Sequence, residues 1–83
     1  MEDVEVLVCE GSGHDWFLSR DFVKKLTFRQ SWNPALKPEE NERDIKFLAM
    51  QEVGKPKGIG NKHMFTIVKN NAEIAHLVQN YSW

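Results

Sequence analysis

The strongest constraint in this chain is the run from Ile45 to Lys69. Two apolar stretches, Ile45-Lys46-Phe47-Leu48-Ala49-Met50 and Lys62-His63-Met64-Phe65-Thr66-Ile67-Val68, flank Val53-Gly54-Lys55-Pro56-Lys57-Gly58-Ile59-Gly60-Asn61. Short apolar runs on either side of a Gly- and Pro-bearing segment read as a β-hairpin. The segment between them is too long for a two-residue turn, and its glycines give access to positive φ. Residues 53–62 are therefore expected to form a flexible basic hairpin loop. Both faces of the hairpin carry bulk, with Phe47, Ala49, Phe65 and Ile67 on some positions and Leu48, Met50, Met64 and Val68 on the alternates. A sheet with helices on one side needs only one apolar face. The other must be covered by the Trp32 segment or by a partner, a second copy of the chain being one such partner.

Around this run the remaining elements read in order. Val4-Glu5-Val6-Leu7-Val8-Cys9 is a β-branched run ended by Gly11 and Gly13, expected to be a mostly buried strand with Val4, Val6 and Val8 facing the helices. Ser12 followed by Asp15 resembles a capping box, and from Asp15 to about Phe28 the helical period gathers Trp16, Leu18, Phe22, Val23 and Leu26 on one face. Phe17 and Phe28 fall on the other side, and with Trp32 and Trp83 they make a candidate partner surface. Thr27 to Trp32 reads as a short edge strand that breaks at Asn33-Pro34, and residues 37–44 as a polar linker loop. Asn70 followed by Glu73 is a second helix start, with Ile74, Leu77, Val78 and Tyr81 sharing one face. The expected fold class is α+β, a three- to four-stranded mostly antiparallel sheet with two helices packed on one face, in the order β-α-(β)-β-β-α.

A chain of 83 residues has room for one core, so residues 1–83 are expected to be a single domain. Hydrophobic residues at 41% and charged residues at 28% argue against wholesale disorder. The lone Cys9 excludes an intramolecular disulfide, and the opening Met1-Glu2-Asp3 lacks the cationic stretch and long apolar run of a leader or membrane span. The expectation is an intracellular protein, cytoplasmic or nuclear, with no membrane association. The formal net charge of −1 hides an asymmetry, since Glu2, Asp3, Glu5, Glu10 and Asp15 crowd the start while Lys55, Lys57, Lys62 and Lys69 crowd the hairpin.

Lysines around a glycine-rich turn suit a phosphate chain, so Lys55, Lys57, Lys62, His63 and Lys69 are the candidate nucleic-acid-binding residues. Trp32 or Phe28, where exposed, would supply base stacking. Cys9-Glu10-Gly11-Ser12-Gly13-His14-Asp15 places a thiol, carboxylates and an imidazole at a strand end, but a nucleophilic Cys needs a thiolate-stabilising environment and a base against it. His14, His63 and His76 are scattered, with no CxxC or HxxxH, and the glycines before Lys62 do not follow the phosphate-loop pattern, so neither a metal nor a cofactor is expected.

Three partial family resemblances run through these residues. Val6 to Leu26, with Glu10-Gly11 at a strand end, resembles the opening of TOPRIM domains, which implies Mg²⁺ chemistry. Asp15 sits a residue late, however, and no Asp-x-Asp pair follows. Trp16 to Tyr81, with Lys46-Phe47-Leu48-Ala49, Gly54-Lys55 and Met64-Phe65-Thr66-Ile67-Val68, resembles the small αβββα proteins of the signal recognition particle Alu domain, which implies RNA binding on the sheet. The same pattern is similar to the smallest subunit of the transcription and repair factor TFIIH, which implies a protein–protein adaptor. The reading from sequence is a non-catalytic binding module, nucleic-acid-associated through RNA or single strands. The alternative is a small protein-binding adaptor or inhibitor, phage-type or regulatory, using an exposed apolar face. A TOPRIM-like or cysteine-dependent enzyme comes third.

Overall fold

The computed structural model describes residues 2–12, 22–56 and 61–80. In chain order they form β1 (Glu2–Ser12), β2 (Phe22–Trp32), helix α1 (Pro38–Val53), β3 (Asn61–Lys69) and β4 (Ala72–Asn80). The four strands make one antiparallel sheet in the order β2-β1-β3-β4. The α+β class and the mostly antiparallel sheet agree with the sequence. Among the described residues there is one helix and not two, and it is not one of those expected.

β1 and β3 are the central strands, and their pairing sets the core. Val6 lies opposite Ile67 and Val8 opposite Phe65. All four are fully buried beneath Ile45 and Ala49 of α1, with Val4, Leu26 and Trp32 at the margins. Val4, Val6 and Val8 thus face the helix, as strand alternation requires. The opposite face carries Leu7, Cys9, Met64, Thr66 and Val68. The register extends it to Lys25 on β2 and to His76 and Val78 on β4.

Residues 45–50, expected as a strand, are the middle of α1, and residues 38–44, expected as linker, are its first two turns. The start is written in Pro38 at the first helical position and in Glu39 and Glu40 at the positive helix end. Buried Asn41, Ile45 and Ala49 then recur every fourth residue, one face of a helix. α1 ends at Gly54, which takes φ 70° and donates its N–H to the Met50 carbonyl at 2.9 Å. The segment 53–62 therefore joins a helix to a strand and does not close a hairpin. Its residues 57–60 lie outside the described part.

The hairpin of this fold is β3–β4. Asn70 and Asn71, at φ 54° and 63°, form a two-residue turn of the kind whose twist suits paired strands. Asn tolerates this backbone because its short polar side chain bonds locally. The expected C-terminal helix from Asn70 is therefore a turn followed by a strand. The expected helix from Asp15 to Phe28 is likewise corrected, since residues 22–28 belong to β2. The rest of that helix lies outside the described residues. The expected short edge strand at 27–32 is the second half of β2, which is indeed an edge.

Asn41 ties α1 to the sheet. Its Oδ1 accepts the Asn33 N–H at 2.8 Å, and its Nδ2 donates to the Asn33 carbonyl at 2.9 Å and to those of Leu36 and Lys37 at 3.4 and 3.3 Å. One buried amide thus bonds the backbone of Asn33, Leu36 and Lys37 in the β2–α1 connection. Asn41→Ala is expected to cost about 2 to 3 kcal/mol, because polar groups lose their partners where water is partly excluded. Urea unfolding followed by tryptophan fluorescence measures this. A loss within about 0.5 kcal/mol, the range of ordinary surface changes, would mean that Asn41 does not organise the connection.

Candidate functional site

Of the residues expected to bind nucleic acid, Lys62 and Lys69 stand at opposite ends of β3. Lys55 is exposed just beyond the end of α1, and Lys62 is half-buried at the start of β3. Lys69 closes β3 at the other end, about 23 Å from Lys62 at about 3.3 Å per strand residue. There its Nζ lies 3.3 Å from Glu2 Oε2 and 4.5 Å from the centre of the Trp32 ring. Lys57 lies outside the described residues. Trp32 is 8% exposed, so the exposure on which its stacking role depended is absent. Phe28 is half-buried against the core, and Phe17 and Trp83 lie outside the described residues.

His63 is buried on the helix-facing side of β3. Its ring meets Phe65 edge-on at 5.7 Å, and its Nε2 is 3.7 Å from Glu10 Oε2 on the neighbouring strand. Burial pushes the imidazole below its usual value, and the nearby Glu10 carboxylate opposes that shift only in part. Cys9 is also buried, but alternation along β1 turns it to the face opposite Glu10 and His63. The thiol and this imidazole therefore do not form a nucleophile–base pair. His14 and Asp15 lie outside the described residues. No group of three or more potential metal ligands occurs among the described residues. No helix among them is long and apolar enough to cross a membrane.

The surface that most departs from a solvated one is the outer side of α1. The i, i+4 series that buries Asn41, Ile45 and Ala49 turns Phe47 and Leu48 outward, where they are 60% and 39% exposed. Beside them a cavity of about 270 Å³ is lined by Phe47, Met50, Gln51, Gly54 and Lys55. That is just below the roughly 300–1,000 Å³ of small-molecule pockets and fits one large apolar side chain of a partner. Sequence reading missed this site because a strand assignment alternates Phe47 and Leu48 between two faces of a sheet. The signal that would have found it is Pro38-Glu39-Glu40, a helix start from which the period follows.

Comparisons with protein-family models, with curated proteins and with solved structures give no match. The β-β-α-β-β order of the described elements also differs from the αβββα order that the resemblance to the signal recognition particle proteins implies.

His63 generates a pH-dependent stability. The unfolded chain takes up a proton that native His63 resists, so between its lowered native value and the ordinary 6.5, stability falls as pH falls. The slope contributed by this one group is at most about 1.4 kcal/mol per pH unit. Urea midpoints measured across this window should fall more steeply for the native protein than for His63→Gln. Parallel profiles would mean that His63 titrates alike in both states.

Proposed function

We propose that this protein is a non-catalytic protein-binding module, an adaptor or inhibitor, that seats its partner on the outer face of α1. The observation that carries this reading is Phe47. A phenylalanine 60% exposed beside a half-exposed leucine and an apolar cavity loses water contact only when something else covers it. Aromatic anchors flanking a cavity are also what interface centres are made of. Lys55 at the rim adds a cation where a partner's carboxylate would approach, which affects association rate and orientation more than affinity.

This reading is preferred to nucleic-acid binding because two of the candidate residues are engaged within the fold. Lys69 is engaged by Glu2 and Trp32, and His63 is buried against Phe65. Phosphate neutralisation needs several cations along one track, and Lys62 and Lys69 stand at opposite ends of a strand.

The test is a comparative capture from nuclease-treated native extract with the native protein, Phe47→Glu and Lys55→Gln, followed by titration of the purified partner. Phe47→Glu is expected to weaken binding by about 2 kcal/mol or more, the cost of losing an anchor, while changing stability by no more than about 0.5 kcal/mol. Lys55→Gln should bind nearly as well as the native protein. Salt-dependent binding of RNA or single-stranded DNA that Lys55→Gln and Lys62→Gln together abolish, and that Phe47→Glu leaves intact, would establish the nucleic-acid reading instead.

A further inference from the structure

The two edges of the sheet are built differently. β2 carries Lys24, Lys25 and Arg29, all exposed, and its pairing with β1 is interrupted by two register shifts. Cations and bulges are means by which an edge strand avoids pairing with another chain. On β4 the one such device lies near the start, where the pairing with β3 passes from Val68 with Glu73 to Ile67 with Ala75 and leaves Ile74 as a bulge. Beyond it, residues 75–80 pair regularly with β3 and include no Pro, Lys, Arg, Asp or Glu. Among the described residues the outer edge of this stretch pairs with no strand.

The stretch itself states what fits it. In an antiparallel pair every second residue turns its N–H and C=O away from its partner, so residues 75–80 present a row of donors and acceptors outward over about 20 Å, at about 3.3 Å per residue. Another extended backbone matches a row of that spacing. The centre of the stretch is apolar on both faces, with half-buried Leu77 on the side of α1 and Val78, 41% exposed, on the other. The charge that borders it on β4 is Glu73, on the same face as His76 and Val78. Its side chain is 57% exposed, although His76 Nε2 lies 3.6 Å from Oε2. A complementary segment is therefore uncharged and β-branched or aromatic at its centre, with a cation at the end beside Glu73. A second copy of β4 brings its own Ile74 bulge into the pairing, whereas an unbroken segment of another chain meets the whole stretch.

We infer that β4 receives an extended segment of a partner protein, apolar and uncharged at its centre and basic at the end beside Glu73, which adds a strand to the sheet along residues 75–80. The inference is independent of the partner site on α1, since Phe47 lies on the outward side of the helix and takes no part in this edge.

Selection from a displayed library of random linear peptides on the native protein tests it, followed by NMR titration of an enriched peptide. Enriched peptides should carry an uncharged run of β-branched or aromatic residues with Lys or Arg at one end, and the largest amide shifts should fall in residues 75–80. The same peptide N-methylated along its backbone should bind at least about tenfold more weakly, because main-chain bonds carry the affinity of an added strand. Selection on Glu73→Lys should replace the basic end by an acidic one. Val78→Lys puts a cation on the edge at an exposed position, so it should lose the peptides and keep a near-native melting curve. Phe47→Glu should bind them as the native protein does. No enrichment, shifts centred on α1 that Phe47→Glu removes, equal binding of the N-methylated peptide, or an end preference that Glu73→Lys leaves unchanged would each overturn the inference. So would a native protein that sediments as a dimer and dissociates with Val78→Lys, since the edge then holds a second copy.

Discussion

The pairing of β1 with β3 is the interaction on which the rest of this structure depends. It brings together segments from the two ends of the chain and places Val6 against Ile67 and Val8 against Phe65, where no solvent reaches them. Once these two strands are central, β2 and β4 have no position left except the edges. One helix of 16 residues, about 24 Å long at about 1.5 Å per residue, then suffices to cover one face of the sheet. Ile45 and Ala49 complete the core, and Asn41 fixes the angle at which the helix enters by holding the backbone of the preceding loop.

The placement of charge follows from the same topology. The acidic start of the chain lies in a central strand beside basic partners on its neighbours, so Glu5 meets Lys25 at 3.0 Å and Glu2 meets Lys69 at 3.3 Å. Exposed pairs of this kind contribute little stability, about 1 kcal/mol or less. Their larger consequence is that cations which look like a binding patch in sequence are partly engaged within the sheet. Among the described residues, the outer side of α1 stays apolar and open, with Phe47 60% exposed beside the cavity.

The strands that bury one face were legible in the sequence, and the segments whose apolar residues fit two periods were not. Val4, Val6 and Val8 alternate with larger or charged neighbours and could be placed at once, as could the β-branched run of β3. Phe47-Leu48-Ala49-Met50 is a short unbroken apolar run, consistent with a buried strand or with a helix, and length alone could not separate them. Helix-forming residues on both sides, from Glu39 to Gln51, favour the helix when the window is widened. In β4, Ile74, Leu77 and Val78 fit a helical stripe and also straddle both faces of an edge strand. The Asn70-Asn71 pair decided for the strand by forming a tight turn. Of the expected site residues, Lys69 is engaged by Glu2 and Trp32, and His63 is buried. Phe47 went unnoticed because its exposure depends on the helix being recognised first.

The most direct test of this architecture is residue-resolved NMR of the native protein. Residues Pro38 to Val53 should show helical carbon chemical shifts. Cross-strand proton contacts should join Val6 to Ile67 and Val8 to Phe65, and contacts across the helix–sheet interface should come from Ile45 and Ala49 and not from Phe47. Extended shifts at Ile45 to Met50, with cross-strand contacts from those residues to Lys62 to Val68, would contradict the fold and with it the exposure of Phe47 on which the proposed site rests.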